Sequence, residues 1–263
     1  MSSSTNPPTS STTSWPDSST ESDSSEATEA PTSSSTSSSE PVSLDTTTTD
    51  NESLSGIRYE DRIFVVGDTG SGKSELAKQL FLATPLMTPS GKRARRIIID
   101  PADSSLTATA ADITFNDPKR VPDCATARFV PKDPDDKEAY NTLYRWVFDR
   151  FPAYVWLDEA NIAAPVNGYP KWANTYVVQG RKRGLGHLAC DTRPRGVCKN
   201  FIAQAQHVFI FALATTDDRK YLAENIGVSF SQLEELMQAL PEYGFIHYDR
   251  RSKTLFVCDP LDL

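Results

Sequence analysis

The stretch RIFVVGDTGSGKSELAKQLF, residues 62–81, joins an apolar run, a glycine-rich octad and an amphipathic run without a break. Few arrangements restrict a fold more. A strand has to end where the glycines turn the backbone, and a helix has to begin at once. Gly67, Asp68, Thr69, Gly70, Ser71, Gly72, Lys73 and Ser74 fit the pattern GxxxxGK[ST]. Glycines let successive amides of residues 68–74 face inward, and a helix N-terminus adds positive potential, so such a loop is a cradle for phosphate. Lys73 then reaches the outer phosphates of a nucleoside triphosphate, and the Ser74 hydroxyl ligates Mg2+. With glycine near 7% of residues, a chance match in a chain of this length is roughly a one-in-a-hundred event.

A second signal is AYVWLDEAN, residues 153–161. Its apolar run reads as a buried strand whose carboxyl end delivers Asp158 and Glu159 to the rim where phosphate would sit. A buried strand ending in acidic turn residues is common by itself. Paired with the cradle, it assigns Asp158 to the metal's water shell and Glu159 to polarising an attacking water. The adjacent Asp and Glu separate the chain from GTPase and small-molecule kinase patterns. A further strand, RRIIID at 95–100, falls between the two motifs, as in P-loop ATPases with a catalytic glutamate.

From about Arg58 onward, β-branched runs alternate with helical patterns. The strands RIFVVG, RRIIID, ATARFVP and AYVWLDE are almost continuously apolar, as expected when helices cover both sheet faces. Tyr140, Leu143, Tyr144 and Val147 keep helical spacing between Asp136 and Arg150. After Glu159 the pattern gives a helix in KWANTYVVQGRKRG, strands in GHLACDT and HVFIFAL, and helices in DRKYLAENIG and SQLEELMQAL. A closing hairpin turns around Arg250 and Arg251. The expected fold class is α/β, with a mostly parallel central sheet flanked by helices in one P-loop ATPase domain over residues 56–263.

The first 50 residues are different: 30 are Ser or Thr, and none is Lys or Arg. So few apolar groups cannot offset chain entropy, and a disordered acidic tail is expected over 1–55. Eight acidic residues in those 50 account for the whole net charge of −8, which leaves the remainder with 27 basic and 27 acidic groups. An acidic overall charge therefore does not exclude a nucleic-acid partner. The longest apolar run, 207–214, is too short to span a bilayer, and the start lacks signal-peptide regions, so a soluble, unexported protein is expected. Cys124, Cys190, Cys198 and Cys258 show no CxxC or zinc spacing and read as reduced, partly buried thiols. His187, His207 and His247 read as core or edge residues without a shared acidic partner, and Trp146, Trp156 and Trp172 as packing residues.

Residues 179–227 carry an arginine-rich turn (181–183), the tripeptide GLG (184–186), a strand ending in Thr192 before Arg193 and Pro194, and a second strand, AQHVFIFAL. With the cradle and VWLDEA, this order resembles the HerA/FtsK superfamily of DNA-pumping ATPases over roughly residues 60–250. The resemblance implies a RecA-like fold, ATP hydrolysis with Mg2+, double-stranded DNA as partner and a homo-oligomeric ring, six subunits being the expected number. Where the family places Gln before RP as a γ-phosphate sensor, this chain has Thr192, which can donate one hydrogen bond but reaches less far.

The resemblance also implies an arginine finger reaching into a neighbouring subunit. Arg96, Arg183, Arg193 and Arg219 are the candidates, and a finger is defined by its neighbour's geometry, which the sequence does not carry. Of the two basic clusters, 92–96 reads as a solvated face, and 181–183 as a surface for DNA phosphates or a neighbour's nucleotide. The short chain before the cradle leaves no room for the barrel of HerA or the membrane segments of FtsK. In that it is most similar to the genome-packaging ATPases of membrane-containing icosahedral DNA viruses. The implied function is an ATP-driven motor that packages viral DNA, with capsid or vertex proteins as further partners, in host cytoplasm or virion. A cytoplasmic cellular or plasmid DNA pump, and a Zot-like phage extrusion NTPase, are the alternatives.

Overall fold

Strands form where β-branched and aromatic residues run uninterrupted, and both faces of these strands are covered. The computed structural model describes the backbone of Ser43–Leu44 and residues 57–261 except 86, 89 and 151. In chain order the strands are β1 (Ser43–Leu44), β2 (Arg62–Val66), β3 (Arg95–Ile99), β4 (Ile113–Phe115), β5 (Thr126–Phe129), β6 (Ala153–Leu157), β7 (Leu185–Asp191), β8 (His207–Ile210), β9 (Phe245–Asp249) and β10 (Thr254–Cys258). The helices are α1 (Lys73–Ala83), α2 (Ser105–Ala108), α3 (Lys137–Asp149), α4 (Ala160–Ala163), α5 (Lys171–Gln179), α6 (Lys199–Ala203), α7 (Thr216–Ile226) and α8 (Phe230–Gln238). The expected tail, 1–55, lies outside the described residues except for the two of β1, which pair with Thr254 and Leu255.

The sheet order is β1-β10-β9-β8-β2-β7-β6-β3-β5-β4. From β8 to β4 every pairing is parallel, and β9 and β10 add an antiparallel hairpin beyond β8. A mostly parallel sheet with helices between its strands is therefore present. Alternate residues of each strand feed two cores. Ile63, Val65, Ile98, Trp156 and Leu188 pack with Leu76, Ala77, Leu80 and Phe81 of α1 on one face. Phe64, Val66, Ile97, Val155 and Leu157 pack with Leu143, Tyr176, Phe201, Leu222 and Leu233 on the other. Among the described residues no helix is long and apolar enough to cross a membrane.

Some local expectations change once the chain is folded. Arg96, considered as a finger, is buried: its guanidinium donates to the carbonyls of Leu82 and Thr84 and lies over the Phe81 ring. It caps the carboxyl end of α1, where carbonyls lack helical partners, and is not available to a second subunit. The three histidines are buried, as expected of core residues. Among the described residues His207 alone of the three has an acidic neighbour, Asp61, with Nε2 3.4 Å from Oδ2, and its Nδ1 lies 3.1 Å from Nε2 of His247. Burial of Asp61 opposes its charge, but His207, the Arg58 amide and Arg251 outweigh that and hold the carboxyl below its ordinary range.

GLG has a packing reason. A Cβ on Gly186 would lie 2.1 Å from the Tyr59 carbonyl oxygen and 2.8 Å from the Tyr154 ring. The glycine lets the chain before β2 cross the start of β7, at the sheet edge opposite the cradle.

Candidate functional site

Parallel strands put all their carboxyl ends on one edge, so β2, β6, β7 and β8 deliver the chain to a common rim. At the end of β2, Gly67 donates to the Asp191 carbonyl and Asp68 to that of Ala212, at 3.3 and 2.9 Å, which stitches the loop to β7 and to the chain leaving β8. A Cβ on Gly67 would lie 2.4 Å from Cβ of Phe211 and 2.7 Å from Oγ of Ser71, so only glycine fits there. Gly70 and Gly72 hold φ values of 82° and 97°, left-handed backbone that glycine adopts without penalty. The amides of Gly70, Gly72, Lys73 and Ser74 have no acceptor among the described residues. Ser71 Oγ is buried without a partner, and Thr69 lies exposed on the rim of the loop.

Lys73 opens α1 and is buried, 8% exposed, with no ion pair among the described residues. Asp158 follows β6, its amide bonded to the Ile99 carbonyl at 2.9 Å, and is 7% exposed. Its carboxylate takes no hydrogen bond or ion pair from the described residues. Burial, then the negative charges of Asp100 and Glu159, push its pKa up to about 7, with Lys73 opposing. Asp100, equally buried at the end of β3, is satisfied by Arg128 Nη2 at 2.7 Å and by the amides of Ala102 and Ser104. The two acids therefore differ: Asp100 is spent in the fold, whereas the Asp158 carboxylate keeps no partner among the described residues. Ser74 and Asp158 supply the hydroxyl and carboxylate oxygens that suit a hard divalent ion.

Glu159 caps α4 with φ 51°, a left-handed conformation unusual for a residue with a side chain. Asp103 and Tyr243, with φ of 55° and 60°, share this sheet edge. Strain of this kind gathers at functional rims.

Asp191, to which the sequence assigned no role, joins these parts. It is fully buried at the end of β7, which lies between β2 and β6. Its carboxylate accepts from the Asn161 amide at 2.5 Å and the Arg193 amide at 2.7 Å, while its carbonyl accepts from Gly67. One residue thus ties the cradle, the turn carrying Glu159 and the turn carrying Thr192. Burial raises its pKa to about 6 against the lowering pull of those amides. Antiparallel contact between Pro165 and Val197 and the bond from the Val166 amide to the Gly196 carbonyl, 2.7 Å, bind the same two turns again.

Thr192 is half-buried directly after β7, beside the exposed Arg193. Arg183 is not brought to this rim. It precedes β7 at the opposite edge, a strand's length of about 23 Å away, where it donates to the Phe148 carbonyl at 2.9 Å and lies over the Phe148 ring. Arg219 is near the cradle but engaged with Glu234 and the carbonyls of Leu213 and Ala214.

No family model matches the chain. The DNA double-strand break repair helicases HerA of Sulfurisphaera tokodaii and Sulfolobus acidocaldarius are each 28% identical to it, over 103 and 78 residues, or 38% and 28% of this chain. The matched regions span only 21% and 16% of those relatives. Among solved structures, the genome packaging NTPase of Sulfolobus turreted icosahedral virus 2 in complex with AMPPCP superimposes with a TM-score of 0.62 at 18% identity. It covers 78% of this chain and all of that one. The complex with ATP-gammaS gives 0.63 at the same identity, covering 78% of this chain and 99% of that one. The chain has the fold of these P-loop NTPases.

Proposed function

We propose that the chain is an ATP-driven motor that moves double-stranded DNA, loading a viral genome into a capsid as a ring of identical subunits, six being the expected number. One observation carries the hydrolytic part: Lys73 and the buried Asp158, neither with a partner among the described residues, lie within electrostatic reach of each other and of the strained Glu159 at the cradle's edge. In this reading the free amides of the loop and Lys73 hold the β- and γ-phosphates. Ser74 and Asp158 hold Mg2+, which when bound screens phosphate charge. Glu159 takes the proton of the attacking water, and Thr192 donates a hydrogen bond toward the γ-phosphate. Arg183, far from its own cradle, serves the nucleotide of an adjacent subunit.

The DNA part is supported by the fold shared with the viral packaging NTPase and by the exposed arginine-rich turn, 181–183. Virion association and contact with capsid or vertex proteins belong to this reading. The partial likeness to HerA favours a second reading, a cellular or plasmid pump with the same chemistry.

The test is the ATPase rate of the full chain with and without duplex DNA. The rate is expected to rise at low salt and to relax as salt displaces the phosphate contacts, while Lys73→Ala removes nucleotide binding altogether. A rate indifferent to DNA at low salt would count heavily against both motor readings.

Asp191 gives a sharper expectation, because it positions other residues without touching substrate. Asp191→Ala should lower kcat about 10- to 100-fold, as misplacement of a reacting group does, and change KM by less than about threefold. Asp191→Asn, which keeps one acceptor oxygen, should fall between. Steady-state kinetics decide this, and a loss confined to KM would contradict it.

A further inference from the structure

Resting on the triphosphate reading, we infer that the nucleoside end of the substrate lies between the phosphate loop and the turn at residues 240–244. Tyr243 is then the stacking face for the base, and the site accepts different bases with little discrimination.

Direction comes from sheet order. Asp158 and Glu159 follow β6, on the β7 side of the cradle, so the γ-phosphate must point that way. The rest of the nucleotide therefore leaves toward β8 and β9. On that side a cavity of about 400 Å³ opens, continuous with the cradle because Asp68, Gly70 and Ser71 form one wall. This volume falls within the usual range for ligand pockets. The opposite wall is Met237, Leu240 and Tyr243, an apolar surface of the kind a base occupies.

Tyr243 is the most exposed large apolar side chain among the described residues, at 55%. Its ring is nonetheless placed: a Cβ on Gly72 would lie 3.9 Å from Tyr243 Cδ1. The turn is closed by the Gly244 amide donating to the Pro241 carbonyl at 3.0 Å. Tyr243 holds φ 60° in it, where turn chemistry would favour glycine or asparagine. An aromatic residue kept at such a position, beside a phosphate loop and open to solvent, has a use for its face. Glu242 is the only charged side chain that the turn contributes to the cavity, and Ser71 Oγ, the buried polar atom without a partner in its lining, belongs to the phosphate loop and not to the apolar wall where the base would lie. Recognition is then by stacking, which every base offers.

The test compares binding of inorganic tripolyphosphate, ATP, GTP and CTP to the full chain and its variants by calorimetry. The unaltered protein should bind the three nucleotides within about tenfold of one another, and each more tightly than tripolyphosphate. Tyr243→Ala should weaken all three nucleotides about tenfold and leave tripolyphosphate unchanged, while Tyr243→Phe restores them. The inference is overturned if Tyr243→Ala leaves nucleotide affinity intact, if it weakens tripolyphosphate equally, or if one base is preferred by more than about a hundredfold. Failure of the unaltered protein to bind tripolyphosphate or any nucleotide would instead remove the phosphate-site reading, and this inference with it.

Discussion

Glu159→Gln is expected to bind ATP as tightly as the unaltered protein and to hydrolyse it at least about a hundredfold more slowly, the usual scale for losing a positioned general base. Binding survives because its elements are elsewhere: the amides of Gly70, Gly72, Lys73 and Ser74 and the Lys73 and Ser74 side chains all lie on the loop from β2 and the first turn of α1. Hydrolysis fails because an amide cannot accept the water's proton, although it preserves the shape of the turn. The geometry also says why no neighbour should substitute. In the proposed reading Asp158 holds the cation, while Asp100 is neutralised by Arg128 and the Asp191 carboxylate is occupied by two backbone amides. Single-turnover hydrolysis beside a nucleotide titration measures both halves. A turnover within about threefold of the parent would remove Glu159 from the catalytic role.

The parts of this site that could be read in the chain are those written locally. The cradle is an octad, and β6 with Asp158 and Glu159 is one continuous run, so spacing and apolar character sufficed. The strands were legible because burial on both faces demands unbroken apolar runs, as in Ile97, Ile98 and Ile99. What escaped was non-local or short. β4 is a three-residue edge strand with Ile113 exposed, too brief for any pattern. Asp191 acts on an amide 30 positions away, across two adjacent strands, and β7 enters between β2 and β6 although it follows both in the chain. Arg96 resembled a free basic residue until α1 supplied carbonyls for it. Tyr243 gives no sequence signal at all, since its value comes from a turn at the far end of the domain folding over Gly72.

The second large effect concerns stability. Asp158→Asn is expected to abolish hydrolysis and yet raise the melting temperature of nucleotide-free protein at pH 8. In the fold this carboxyl titrates near 7, up from 3.8, because burial and then Asp100 and Glu159 disfavour its charge. Above the folded value it is ionised in both folded and unfolded chains, so the folded state carries the full penalty. Between the two values the folded state holds a proton that the unfolded state lacks, and stability falls as pH rises through that window. A shift of this size is equivalent to about 4 kcal/mol. Asparagine still buries an unpaired polar group, so a gain of about 2 kcal/mol at pH 8 is the expected remainder. For a domain of this size that is roughly 4–8 °C. The gain should shrink below pH 7, reach zero at about pH 5.5 and reverse below that, as the native carboxyl takes up its proton in the fold and sheds the charge penalty. Melting curves of the two proteins from pH 4 to 8, without metal or nucleotide, test the sign. An Asp158→Asn protein less stable than its parent at pH 8 would mean that the carboxylate is paired within the fold and is not held in readiness for a cation.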